Sequence, residues 1–221
     1  MRPDLLVFDC DGVLIDSEVV GARVEAAALG RLGVSITEDE ILERFLGMTA
    51  ASMYRTLEGE LGHPLPEGFA STVQTEVDAA FQRDLSAIPD IHETLDRIDL
   101  KRCVASSSTL ARLRHSLDIT ALYGSFAPNI FSAEQVKQGK PAPDLFLYAA
   151  EQMDCAPSSC LVIEDSTNGV RGAVAAGMRV WGFVGGGHCF DGHGARLRDV
   201  GAERVFAHMS ELPTLLDELT A

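Results

Sequence analysis

The sequence predicts an α/β protein, a doubly wound parallel sheet with an α-helical domain inserted after the first strand. Three observations predict it. From residue 90 onward, short apolar runs alternate with stretches of helical periodicity. An equally strand-like run at the start, Leu5-Leu6-Val7-Phe8, is followed by a long strandless segment. The strand-like runs end in polar residues of matching character, as expected where a parallel sheet presents a crevice.

In chain order, Leu5 to Phe8 is the first strand. The segment 16–83 then reads as a small helical bundle. Thr37-Glu38-Asp39-Glu40 forms a capping box ahead of Ile41, Leu42, Phe45 and Leu46, and Val73, Val77, Ala80 and Phe81 repeat at helical spacing after Ser71 and Gln74. Met48, Met53 and Tyr54 read as core of this bundle. Further strands are expected at Arg102-Cys103-Val104-Ala105, Asn129-Ile130-Phe131, Leu161-Val162-Ile163, Val180-Trp181-Gly182-Phe183 and Val205-Phe206, with a helix from Asp144 to Met153. The expected domains are therefore 1–15 with 84–221 as an α/β core, and 16–83 as a helical cap.

Composition narrows the function. The chain has 221 residues, 46% of them hydrophobic, and a net charge of −15, which excludes a broad nucleic-acid surface and predicts a monomer. No apolar run approaches the roughly 20 residues that span a bilayer. Met1-Arg2-Pro3-Asp4 leads straight into a strand, so neither a signal peptide nor a membrane segment is expected. Cys10, Cys103, Cys155, Cys160 and Cys189 are an odd, scattered set that fits free thiols in the cytoplasm. His188, Cys189 and His193 follow Gly185-Gly186-Gly187. This stretch reads as a flexible glycine loop rather than a zinc site, which needs four ligands.

The strand ends carry the chemistry. Asp9-Cys10-Asp11-Gly12 ends the first strand, Ser106-Ser107-Ser108 the second, and Glu164-Asp165 the run Leu161-Val162-Ile163, while Lys140 stands at the entrance of the Asp144 helix. Singly, each has a plain structural reading: a turn former, a helix cap, a solvated lysine. Together they place four carboxylates, hydroxyls and one ammonium on one rim. Like charges so crowded repel, and hard oxygen donors point to Mg²⁺ as the neutralising cation. A phosphate fits so acidic a site only if one carboxylate is the nucleophile, so a small phosphorylated substrate and an aspartyl-phosphate are expected. Residues two apart in extended chain face one side. Asp9 is thus assigned as nucleophile and Asp11 as general acid and base. Ser106 and Lys140 hold the phosphoryl oxygens, and Asp9, Asp11, Glu164 and Asp165 hold the metal.

These motifs closely resemble those of the haloacid dehalogenase superfamily, in its β-phosphoglucomutase-like branch of sugar-phosphate phosphatases. The matching stretches are Phe8 to Glu18, Val104-Ala105-Ser106-Ser107-Ser108, Gly139-Lys140-Pro141-Ala142-Pro143-Asp144, and Val162-Ile163-Glu164-Asp165-Ser166-Thr167-Asn168-Gly169-Val170 running on to Met178. The resemblance implies a Rossmann-like core closed by a helical cap. It also implies hydrolysis of a sugar, polyol or sugar-acid phosphate such as 6-phosphogluconate. Substrate contacts are then expected at Ser107, Glu18, Thr49 and Ser52, with Arg44 and Arg55 as partners for a second anionic group. The alternative is a phosphohexomutase, whose pattern has a His and an Arg where this chain aligns Gly21 and Ala50; both departures favour a phosphatase. A non-catalytic phospho-ligand binder is the weaker rival, since every station for turnover is present. A receiver-type signalling module is disfavoured by motif order and by the helical insertion.

Overall fold

A computed structural model describes residues 2–45 and 48–219. The chain divides into two compact units, 1–16 with 86–221, and 17–85.

Among the described residues, the first unit holds six strands, β1 (Leu5–Phe8), β2 (Lys101–Ser106), β3 (Ile130–Ser132), β4 (Cys160–Glu164), β5 (Arg179–Phe183) and β6 (Arg204–Phe206). All pair in parallel in the order β3-β2-β1-β4-β5-β6. The order reverses between β1 and β4, and ligand crevices of doubly wound sheets open at such a reversal, beyond the strand carboxyl ends. Each strand matches a run expected from the sequence, because strands covered on both faces read as continuous apolar runs. Leu5, Val7, Cys103, Ala105, Cys160, Val162 and Val180 supply one buried face, packed with Leu145, Phe146, Val170 and Leu197. Trp181 is buried core, as its place on a central strand suggests.

The second unit holds the helices α1 (Ser17–Arg31), α2 (Glu38–Phe45), α3 (Ala50–Leu61) and α4 (Phe69–Asp84). Helix α1 packs on both sides: Ala22 and Leu29 join Ile41, Phe45, Met53, Tyr54 and Leu57, whereas Val20 and Ala28 join Val73, Val77, Ala80 and Phe81. Short helices are marginal alone, and this two-sided packing stabilises them. The capping box forms as expected: Thr37 N–H donates to Glu40 Oε2 at 2.8 Å, and Glu40 N–H to Thr37 Oγ1 at 3.2 Å. Leu46 lies outside the described residues. Met48 departs from the expectation: it is 44% exposed, preceding the helix whose Met53 and Tyr54 are buried. Inside the unit, the Tyr54 hydroxyl donates to the buried Glu25 carboxylate at 2.9 Å.

The remaining helices of the first unit are α5 (Ile91–Arg97), α6 (Leu110–Ile119), α7 (Tyr123–Phe126), α8 (Asp144–Gln152), α9 (Thr167–Ala175), α10 (His193–Asp199) and α11 (Leu212–Asp217). Among the described residues, no helix is long and apolar enough to cross a membrane.

Candidate active site

The register of the sheet builds the site. Phe8 lies opposite Val104 on β2 and Ile163 on β4, so the next residues, Asp9, Ala105 and Glu164, share one level at the strand ends. Asp9 N–H still donates to Ile163 O, at 3.0 Å, fixing its main chain to β4. Beyond it the chain turns over residues 10–15, with Gly12 N–H donating to Ile15 O at 2.8 Å. Gly12 has φ of +81°, a conformation that favours glycine, and a side chain there would run into the Asp165 carboxylate.

Lys140 organises the buried charges. Its Nζ donates to Asp9 Oδ1 and to Glu164 Oε1, both at 2.6 Å, and its side chain is only 4% exposed. The plain reading of a solvated lysine therefore does not hold. Glu164 is fully buried and spends its other oxygen on Ser166, accepting from the N–H at 2.8 Å and from the hydroxyl at 3.0 Å. Ser166 in turn caps α9 through Gly169 N–H.

Electrostatics follow from burial. Desolvation pushes the Asp9 carboxyl well up; Lys140 opposes this, while Glu164 and Asp165 add to it. Glu164 is raised for the same leading reason, again against Lys140. Burial works against the Lys140 ammonium, yet the two carboxylates hold it above its usual value. Cys10, between the two aspartates, has its thiol pushed up by burial and by both neighbouring carboxylates. It is therefore a poor competitor to Asp9 as a nucleophile.

Asp11 sits on the β2 side. It accepts from Ser108 Oγ at 2.7 Å and lies 3.7 Å from an Arg112 terminal nitrogen. Ser106 is buried, and its Oγ accepts from Ser108 N–H at 3.1 Å. Ser107 is exposed. Ser132 Oγ donates to Ser108 O at 2.7 Å, which fixes the loop from the far side.

Asp165 completes a trio with Asp9 and Glu164, all buried, with oxygen atoms within 4.8 Å of one another. Three buried carboxylates beside one lysine ammonium form a hard oxygen donor set with excess negative charge, which fits a divalent cation. Asp165 Oδ2 is 2.8 Å from His188 Nε2, and its main-chain oxygen is 2.6 Å from His193 Nε2. Burial opposes the charged form of His188, but hydrogen bonds to Asp165 and Cys189 outweigh it and raise its pKa to about 11. His193 is lowered, chiefly by burial.

The structure thus brings Asp9, Lys140, Glu164 and Asp165 together, with Asp11 and Ser106 at adjoining strand ends. Glu18, Thr49 and Ser52 belong to the helical unit. There Thr49 is the N-cap of α3, accepting from Ser52 N–H at 3.2 Å, and Ser52 Oγ accepts from Arg55 at 3.0 Å. Arg44 pairs with Glu60. Sequence reasoning missed Ser108, Arg112 and the two histidines as partners of the site carboxylates. Ser108 stood inside a recognised hydroxyl cluster. The histidines stood after a strand whose carboxyl end opens on the same crevice. Of the glycine loop, His188 and His193 are buried, 2% and 4% exposed, and a side chain at Gly185 or Gly186 would collide with its neighbours.

Residues 6–183 match the haloacid dehalogenase-like hydrolase family. The chain is 29% identical over 97% of its length to 95% of 6-phosphogluconate phosphatase from Escherichia coli. It is 30% identical over 81% of its length to 82% of hexitol phosphatase A from the same organism. Among solved structures, a conserved haloacid dehalogenase-like protein from Agrobacterium tumefaciens superposes with a TM-score of 0.92 at 39% identity, covering 99% of both chains. With its Rossmann-like parallel sheet, its strand-end carboxylates and these phosphatase relatives, the chain belongs to the haloacid dehalogenase-like hydrolases.

Proposed function

We propose that this protein is a Mg²⁺-dependent phosphatase of a small sugar, polyol or sugar-acid phosphate, 6-phosphogluconate among the candidates, working through an aspartyl-phosphate on Asp9. The observation that carries this reading is the buried Asp9 carboxylate at the β1–β4 reversal. Lys140 takes its Oδ1, and Asp11 lies two residues on.

In the proposed reaction an Asp9 oxygen attacks phosphorus and the ester P–O bond breaks. The leaving alkoxide takes its proton from the Asp11 carboxyl. Asp11, now a carboxylate, removes a proton from water, which attacks the phospho-Asp9 phosphorus, releases inorganic phosphate and restores Asp9. Lys140 and Ser106 bind phosphoryl oxygens, and the Ser108 hydroxyl orients Asp11. Asp9, Asp165 and the Asp11 main chain would hold Mg²⁺, supported by Glu164. The ion supplies charge neutralisation that lets a phosphate approach a carboxylate cluster.

Substrate choice is assigned to Ser107 and, in the helical unit acting as a cap, to Glu18, Thr49 and Ser52. Five free thiols and the acidic composition suit a cytoplasmic monomer.

The test is phosphate release in Mg²⁺ from a panel of sugar, polyol and aldonate monophosphates, with Asp9→Asn as the blank. Isomerisation of β-glucose 1-phosphate, with and without glucose 1,6-bisphosphate, runs in parallel. Release that disappears in Asp9→Asn is the expected result. Isomerisation without net phosphate release would replace this reading by a mutase.

A further inference from the structure

The loop after β5 and the start of α10 send two buried imidazoles to one residue. His188 Nε2 meets a side-chain oxygen of Asp165 at 2.8 Å, and His193 Nε2 meets its main-chain oxygen at 2.6 Å. A carbonyl oxygen only accepts, so His193 carries a proton on Nε2 and donates it. The peptide of Asp165 follows the last residue of β4, where strand pairing no longer holds it. One contact therefore fixes the rotation of the carboxylate and the other fixes the peptide plane behind it.

The surroundings are shaped around His188. A Cβ on Gly186 would lie 2.6 Å from His188 Cε1, 2.7 Å from Nδ1 and 3.0 Å from Gly12 O, and a Cβ on Gly12 would lie 2.7 Å from His188 Cε1. The loop is also tied at its tip, where Gly187 N–H donates to Asp16 Oδ1 at 3.0 Å. Two segments far apart in sequence thus enclose one imidazole whose Nε2 faces Asp165.

His188, Cys189 and His193 could also be read as a soft-metal donor set, since their ligand atoms lie within 4.8 Å of one another. The contacts argue otherwise. The His188 nitrogen that reaches Cys189 Sγ, at 3.5 Å, is the same Nε2 that Asp165 occupies, while Nδ1 lies against Gly186. A soft cation on Nε2 would have to replace the hydrogen bond that His188 makes to Asp165.

We infer that His188 and His193 are positioning residues that hold Asp165 in the orientation in which it receives the divalent cation. The inference rests on the proposed reading of Asp165 as a metal ligand. Neither histidine touches the reacting atoms. His188 holds Oδ2 and leaves the other carboxylate oxygen to the ion, as outer partners of metal ligands do.

The experiment is direct titration of the full-length protein with Mg²⁺ by calorimetry and with Mn²⁺ by electron paramagnetic resonance. It uses wild type, Asp165→Asn, His188→Ala, His188→Gln, His188→Asn and His193→Gln. His188→Ala is expected to weaken metal binding about 10–100-fold. In His188→Gln an amide N–H replaces Nε2–H, so affinity returns to near wild type. In His188→Asn the shorter amide does not reach, so the weakening persists. The metal concentration for half-maximal phosphate release should rise in parallel, with most of kcat recovered at saturating Mg²⁺. Thermal melting in EDTA identifies variants that have lost their fold, and the Gln and Asn pair, matched in chemistry, then carries the comparison. Affinities within twofold of wild type in every folded histidine variant would overturn the inference, as would a stoichiometric Zn²⁺ site lost in His188→Ala while Mg²⁺ affinity is unchanged. Wild type that binds no Mg²⁺, or Asp165→Asn that binds it fully, would instead strike the cation reading itself.

Discussion

Lys140 shows how one side chain can set both stability and chemistry. Its ammonium bridges Asp9 and Glu164 at 2.6 Å in a largely buried site, so removing it leaves two buried carboxylates without their shared cation. Lys140→Met is expected to cost about 3–5 kcal/mol of unfolding free energy at neutral pH in EDTA. The pH dependence has a definite sign. Asp9 and Glu164 have raised native pKa values, so the native state binds protons that the unfolded chain has already released. Their contribution is fully present below the ordinary carboxylate range and is lost as pH rises through the raised values. Without the ammonium those values rise further, so the deficit of Lys140→Met should be small in acid and full near neutrality. Urea unfolding at a series of pH values checks this; a deficit that does not change with pH would contradict it. The sequence placed Lys140 at the rim, but its burial was not legible there, because a lone lysine between glycine and proline has the same local signature whether solvated or enclosed.

At the scale of elements, the β1 loop and the helical unit behave differently. The loop after Asp9 winds about the Cys10 carbonyl, which accepts from Leu14 N–H at 2.9 Å and Ile15 N–H at 3.2 Å. Gly12→Ala forces a non-glycine residue into a positive φ, a strain of about 1–3 kcal/mol, and drives a methyl into Asp165. The expected outcome is a lower Tm in EDTA together with loss of Mg²⁺-dependent phosphate release. A variant with wild-type Tm and activity would show that the turn tolerates a side chain. In the helical unit, Tyr54 satisfies a buried carboxylate on a neighbouring helix. Tyr54→Phe strands Glu25 and should cost about 1–3 kcal/mol at pH 7. Burial already raises the Glu25 pKa, and the Tyr54 hydrogen bond holds it back. Losing that bond lets Glu25 take up a proton more readily, so the cost should shrink as pH falls through the carboxylate range. Thermal melts of the two proteins at pH 7 and in acid read this difference.

For the molecule as a whole, the proposed metal links function to stability. Carboxylates kept close in the native fold bind the ion far better than the unfolded chain does, so Mg²⁺ at 100 times its dissociation constant should add about 2.7 kcal/mol. In a chain of this length that raises Tm by about 5–10 °C. EDTA should return Tm to its metal-free value, and Asp165→Asn should show little of the shift. An unchanged Tm in wild type across the Mg²⁺ titration would argue against the site. The net charge of −15 makes nonspecific screening a real competitor, so NaCl at matched ionic strength is the control.

The sequence by itself determined the parallel sheet, the helical insertion, and the order in which Asp9, Asp11, Ser106, Lys140, Glu164 and Asp165 meet the crevice. Periodicity and strand ends are local properties, and the reversal rule of parallel sheets turns them into a place. Tertiary structure alone decided which partner each carboxylate keeps. His188 reaches Asp165, Gly187 reaches Asp16 and Ser108 reaches Asp11 across long separations in the chain. Those contacts depend on the paths of loops, which carry no repeating pattern to read. Glycine signals both freedom and close approach in a sequence, and only the packed neighbours show that Gly185 and Gly186 sit where a side chain would collide.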